Sequence, residues 1–337
     1  MAYLILLAYI LIVLALLRSY KSAPNAELLF ICIGLFVFFA FRSPEVGTDT
    51  IGYCNLFMSM ERVSSISKIM GMQTTEKGFY IFIWLLYRIA PFRQALLIAH
   101  SAFLVYCVYR FFKRFSSDYL VSIVCFLTIS MKFHLTGMRQ SLAMCICMLA
   151  YIKLVDKKYL SFFLLTALAF TFHNSAIVFV MAFVFGVIWK KGNNLITTGI
   201  LSLVFALSAD VLLPMMSLIS PKWEDTTIEA TGNGFTFFAV LIVMELLFAL
   251  QQSKMGDETK FHIRTSYMAV ILWAGRLITR TFERPALFFF PTFAVAMPDV
   301  LKAFRPQERR IIYFAYLSLM SLLYIWRTYS GEYSLFF

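Results

Sequence analysis

Leu28 to Ala40 reads LLFICIGLFVFFA, an unbroken apolar run, and Phe41 to Tyr53, FRSPEVGTDTIGY, follows it without a gap. The run has the composition of a segment buried in hydrocarbon, and it lacks the polar alternation of a barrel strand. The stretch after it sets Arg42, Glu45 and Asp49 around Gly47, Thr48 and Thr50. A helix that leaves the bilayer at Ala40 and opens into a polar loop is the simplest reading of the pair. The rest of the chain repeats the first half of this pattern.

The chain is 61% hydrophobic and 14% charged over 337 residues. Soluble domains carry about a quarter charged residues, so this composition defines a polytopic membrane protein. Apolar runs recur from Tyr3 to Trp326, leaving no stretch for a soluble domain, and residues 1–337 read as a single transmembrane domain. The first run, Ala2 to Leu17, has no basic segment before it and no small-residue cleavage site, and reads as a retained helix. The net charge of +12 does not mark a nucleic-acid partner, because the basic residues sit at the ends of apolar runs, where orientation signals belong. The six cysteines (Cys32, Cys54, Cys107, Cys125, Cys145 and Cys147) lie mostly inside apolar runs and show no metal or disulfide spacing. No nucleotide-loop, zinc-protease or serine-hydrolase motif is present, and no metal or cofactor is expected.

Runs and polar breaks predict spans at 2–17, 28–41, 95–112, 119–132, 138–154, 159–172, 175–189, 195–213, 235–252, 264–280, 286–301 and 311–327, about 12 crossings. The run 78–90, GFYIFIWLLYRIA, is short for a span and ends at Arg88 and Pro91. With it held at the surface as an interfacial or re-entrant helix, the basic clusters fall on one side. These are Arg18 and Lys21; Arg110, Lys113 and Arg114; Lys153, Lys157 and Lys158; Lys190 and Lys191; Lys254, Lys260 and Arg264; and Lys302, Arg305, Arg309 and Arg310. That side is the cytoplasmic one by the positive-inside rule. Two long loops then face outward, 42–93 and 214–234. The outer breaks favour arginine: Arg42, Arg62, Arg88, Arg93, Arg139, Arg276, Arg280, Arg284 and Arg327. A guanidinium fork suits phosphate and carboxylate, whereas lysine mainly marks orientation. An outer anion and headgroup snorkelling both account for this bias.

Arg276 and Arg280, spaced i, i+4 in RLITRTFER, are expected on one helix face, with Arg284 continuing the row. They read either as a phosphate clamp or as interfacial anchors paired with Glu283. Arg139, with Gln140 beside it, opens the helix MRQSLAMCICMLA, where an anion is already favoured. His173, in FHNSA at an outer break, is a candidate acid/base or substrate contact. Asp49 and Glu76 are candidate acids of the first outer loop. Glu245, within AVLIVMELLFAL, is expected to play a structural part, satisfied by a neighbouring arginine.

Arg42 with VGTDT and Tyr53, then EKGF from Glu76 to Phe79, then Arg139-Gln140 with Ala143, then FHNSA from Phe172 to Ala176, occur in that order. Together they resemble the EpsG family of polysaccharide polymerases, which overlaps with the Wzy-type O-antigen polymerases. Agreement is clearest over residues 30 to 180 and looser afterwards, through RLITRTFERP and the tail containing Tyr333. Lys77 stands where common family members have proline. The resemblance implies an inner-membrane glycosyltransferase of the GT-C-like plan whose active site faces the periplasm. Its substrates would be undecaprenyl-pyrophosphate-linked oligosaccharide repeat units, and its partners a flippase and a chain-length regulator. Sugar transfer from such a donor needs a base for the acceptor hydroxyl and positive charge on the leaving phosphate. Asp49 is the leading base, with Glu76 and His173 next, and Arg42, Arg139, Gln140, Arg276, Arg280 and Arg284 hold substrate. An O-antigen ligase, which differs in its acceptor, and a membrane O-acyltransferase are the enzymatic alternatives. A flippase or transporter fits less well, since Glu245 is the one clear midplane charge and no internal repeat is evident.

Overall fold

A computed structural model describes residues 2–19, 24–189, 195–209, 211–212 and 234–329. The helices are α1 (Ala2–Ser19), α2 (Pro24–Ala40), α3 (Thr50–Ser59), α4 (Ile66–Met70), α5 (Lys77–Ile89), α6 (Arg93–Phe115), α7 (Tyr119–Thr136) and α8 (Met138–Val155). They continue with α9 (Tyr159–Phe172), α10 (Met181–Phe183), α11 (Leu195–Leu207), α12 (Gly234–Gln251), α13 (Asp257–Arg276), α14 (Glu283–Ala286), α15 (Phe290–Lys302) and α16 (Pro306–Tyr329). No strand occurs among the described residues.

Among the described residues, six helical segments are long and apolar enough to cross a membrane: Arg93–Phe115, Tyr119–Thr136, Met138–Val155, Gly234–Lys254, Arg280–Lys302 and Pro306–Thr328. Five shorter apolar helices accompany them, Tyr3–Leu17, Asn25–Ala40, Tyr159–Phe172, Asn174–Ile188 and Leu195–Leu207. The protein is a multi-pass, all-helical membrane protein. Each segment expected to span begins on a helix, although three depart from the expected form. The 264–280 segment starts earlier, at Asp257, and every residue of α13 from Thr265 to Arg276 is buried. Neighbouring helices, rather than lipid, therefore surround its Thr265, Ser266 and Tyr267. Residues 174–188 wind through 3-10 turns, α10 and a π-turn over Val184–Ile188. Gly186 lies so close to the Phe261 ring that a Cβ there would overlap it.

The third departure corrects the arginine row. RLITRTFER is not one helix: α13 ends at Arg276, Thr279 is extended (φ −139°, ψ 134°), and 3-10 turns begin at Arg280. Pro285 is tolerated in the first turn of a helix and not in its interior, so the chain restarts at Glu283. Arg276 and Arg280 are therefore brought together by a shared partner rather than by helical spacing.

Helix α5 is amphipathic, burying Phe79 and Ile83 one turn apart in a cluster with Cys54 and Phe57 of α3, Leu96 of α6 and Met138 of α8. Its 13 residues reach about 20 Å, short of the roughly 30 Å hydrocarbon layer. The Phe82 and Phe172 rings meet at 6.2 Å between centroids, tying α5 to the end of α9.

The two ends of the bundle differ in their charged groups. At one end, Arg114 at the close of α6 bonds Asp156 (3.2 Å) and Glu258 (2.9 Å), from the ends of α8 and α13. Nearby, Asp299 of α15 takes hydrogen bonds from Ser117 and from Thr259 (2.7 Å), and Lys302 donates to the Ser117 carbonyl (2.6 Å). Arg114 and Lys302, members of the clusters assigned to the cytoplasm, meet at this end. The opposite end holds Arg42, Arg139, Arg276, Arg280 and Arg284. Residues 214–233 of the expected loop 214–234, with Lys222, and the positions Lys21, Lys190, Lys191 and Tyr333 lie outside the described residues.

Candidate functional site

Three chain breaks build the site. Gly137 separates α7 from α8 and places Arg139 in the first turn of α8. His173 closes α9 in an extended conformation (φ −156°, ψ 123°) before the 3-10 turns begin. Glu76 is the N-cap of α5, yet its side chain caps nothing there and reaches outward instead.

The Glu76 carboxylate gathers the other two. One oxygen forms a close ion pair with Arg139 Nη1. The other lies 2.8 Å from His173 Nδ1. Glu76 keeps only 6% of its side-chain surface, so the two bonds replace lost water. Arg139 Nε also approaches the Tyr53 hydroxyl at 3.4 Å, and its guanidinium lies 5.6 Å from the centre of that ring. Beneath them Thr75 Oγ1 donates to Asn174 Oδ1 at 2.7 Å. Gly78 permits this closeness, because a Cβ there would overlap the Thr171 side chain.

A carboxylate on Nδ1 makes that nitrogen the N–H of a neutral imidazole and leaves Nε2 with its lone pair. His173 Nε2 is buried and has no hydrogen-bond partner. Burial, with the positive charges of Arg284 and Arg139, holds His173 below its ordinary pKa against the upward pull of Glu76. The ring is thus a neutral base at pH 7, oriented by a carboxylate and flanked by arginines.

A second arginine group adjoins it. Gln140 Nε2 donates to the Arg284 carbonyl at 2.8 Å, joining α8 to α14. Glu283 Oε2 lies 3.4 Å from Arg276 Nε and 3.7 Å from Arg280 Nε. Arg276 is buried, with its guanidinium 5.8 Å from the Trp273 ring centre, whereas Arg280 is half exposed and Arg284 exposed.

Of the candidate residues, Glu76, His173, Arg139 and Gln140 meet directly, and Arg284, Arg276 and Arg280 follow through Gln140 and Glu283. Asp49 is exposed at the N-cap of α3 and makes no cap bond with its side chain. It sits one turn before Tyr53, the α3 residue that touches Arg139. Arg42 is buried at 1% exposure, donating to the Phe39 carbonyl (2.6 Å) and the Leu135 carbonyl (3.3 Å). Thr50 Oγ1 reaches the same Leu135 carbonyl at 3.2 Å. Gly47 packs on it too, at φ 96°, where a Cβ would lie 2.7 Å from that oxygen. The stretch after Ala40 thus clasps the end of α7 while presenting Asp49 outward. Tyr53 and Glu283 were not singled out as site residues. The spacing of Tyr53, four residues after Asp49, and of Glu283, between Arg280 and Arg284, was the available signal.

No curated protein and no solved structure matches the chain. A family model matches residues 25–337, nearly the whole chain. The chain belongs to the EpsG family, which marks it as a polysaccharide-polymerase-type membrane protein.

Proposed function

We propose that the protein polymerises lipid-linked oligosaccharide repeat units at the outer face of a bacterial inner membrane. It moves a growing glycan from undecaprenyl pyrophosphate onto a sugar hydroxyl of a new lipid-linked unit. The bundle has about 12 crossings on a GT-C-like plan, residues 42–93 cover the periplasmic surface, and a flippase and a chain-length regulator act with it. The meeting of Glu76, His173 and Arg139 carries this reading, because it puts an oriented neutral base beside guanidinium groups.

In the reaction the acceptor oxygen bonds to the donor's anomeric carbon and its proton passes to His173 Nε2. The bond from that carbon to the pyrophosphate oxygen breaks, and its electron pair leaves with undecaprenyl pyrophosphate. Glu76 holds the ring and stabilises the imidazolium that forms. Arg139, Arg280 and Arg284 stabilise the charge growing on the leaving group, with Arg276 held behind them by Glu283. Asp49, one turn from Tyr53, is the rival base.

The test is turnover of a defined lipid-linked repeat unit by purified protein. Wild type is expected to yield a ladder of products and undecaprenyl pyrophosphate. Release of no pyrophosphate lipid would sink the proposal, and an unchanged ladder from His173→Gln would remove His173 as the base. Deleting the gene is expected to leave single repeat units on the glycan anchor.

A further inference from the structure

Away from this site, one carboxyl group lies at the centre of a membrane helix without a cation. Glu245 of α12 has no exposed surface. Its Oε1 faces Ser266 Oγ at 2.8 Å, and its Oε2 is buried with no partner. Ser266 has a single hydroxyl proton, which the Ile263 carbonyl, also at 2.8 Å, competes for. The expected arginine is not there: Arg264 points to the Gly186 carbonyl at 3.4 Å. An ionised carboxylate in this position demands a positive partner.

The surroundings are oxygen-rich. Tyr267 OH, Thr198 Oγ1 and Ser202 Oγ are all buried without hydrogen-bond partners. Thr198 and Ser202 are the buried residues of α11, one turn apart on the face toward α13. The contacts bring these groups to neighbouring levels. Trp273 Nε1 donates to the Gly234 carbonyl (3.1 Å) at one end of the α12–α13 pair, and Glu245 meets Ser266 about seven residues further on. Gly186, ahead of α11, lies against Phe261, and Phe205 near its end lies against Gly275. Helix α11 therefore runs alongside α13 in the same direction, and Thr198 falls close to the level of Tyr267.

We propose that Glu245, Tyr267 and Thr198 form a buried site for a small monovalent cation of the sodium type. Carboxylate and hydroxyl oxygens are hard ligands suited to such an ion. One negative charge is neutralised by one positive charge, whereas a divalent ion would leave a net charge in the bilayer. The ion would tie α11 and α12 to α13, the helix that ends at Arg276.

The test is thermal unfolding of the purified full-length protein in detergent at pH 8, with sodium chloride replaced by choline chloride at constant ionic strength. The melting temperature of wild type is expected to rise with the logarithm of sodium concentration, by about 4 °C at a hundredfold excess over Kd. Glu245→Gln should remove the rise and Thr198→Val should reduce it. A flat wild-type response overturns the site, as does an equal rise in Glu245→Gln or stabilisation by acidification alone. Should Glu245→Gln not fold, an undiminished sodium response in Thr198→Val overturns the proposal by itself.

Discussion

The two ends of the bundle use the same charged groups for different ends. At the lysine-rich end, Arg114 is matched by Asp156 and Glu258, and Asp299 by two hydroxyls. At the arginine-rich end, Arg139 meets Glu76, Arg276 and Arg280 share Glu283, Arg284 is exposed beside them, and the lone pair of His173 Nε2 has no protein donor. The first arrangement is complete by itself. Among the described residues the second sets four guanidinium groups beside two carboxylates and a base, which suits the proposed transfer from a lipid pyrophosphate. Position in the fold, more than residue type, thus separates a strut from a site.

The sharpest way to break this contrast is at His173. His173→Gln is expected to lower kcat by about 10²–10⁴ with a normal amount of folded protein. Asp49→Asn should stay near wild type in the same turnover assay. The reverse pattern would move the base to Asp49 and leave His173 a structural hub.

Arg139→Lys keeps the charge but loses the planar fork that spans Glu76 and Tyr53. A charged hydrogen bond is worth about 1.5–3 kcal/mol, so kcat/KM is expected to fall by roughly 10–150-fold. Arg139→Ala should cost more and reduce folded yield, since it leaves Glu76 buried with one partner fewer.

The pH profile sharpens the assignment. His173 is held below its ordinary value, chiefly by burial, so its base form persists at pH 7 and activity should fall only as the pH drops below about 6.5. Glu76 pulls that value up, so in Glu76→Gln the acid limb should move to still lower pH, on a reduced maximum. An acid limb that Glu76→Gln leaves unmoved would remove His173 from the role of base.

The smallest effect belongs to the other end. Arg114 keeps 38% of its side-chain surface and Glu258 45%, so solvent screens the pair. Arg114→Ala is expected to cost at most about 1 kcal/mol of stability and to leave turnover per folded molecule unchanged. A loss of turnover there would show that the two ends are coupled.

Much of this could be read along the chain. A helix end at Ala40 with a polar loop after it was expected, and Gly47 turns the backbone there with φ 96°. The helices were legible because bilayer and interface act on each segment locally. The arginine row was misread, since i, i+4 spacing assumes a continuous helix and Thr279 with Pro285 breaks it. Arg42 carries the same signal as Arg139, yet two backbone carbonyls enclose it. Nothing local distinguishes an arginine that closes a helix end from one that meets a glutamate.

Hydropathy and charge placement by themselves determined that the chain lies in a membrane, where its helices fall and which basic residues share an end, because each is a property of a short segment and its solvent. Only the tertiary structure decided that Glu76 takes His173, 97 residues away, and Arg139, 63 residues away. The physical reason is that a buried carboxylate is satisfied by whatever donors helix packing brings within 3 Å, and packing is a property of the whole bundle.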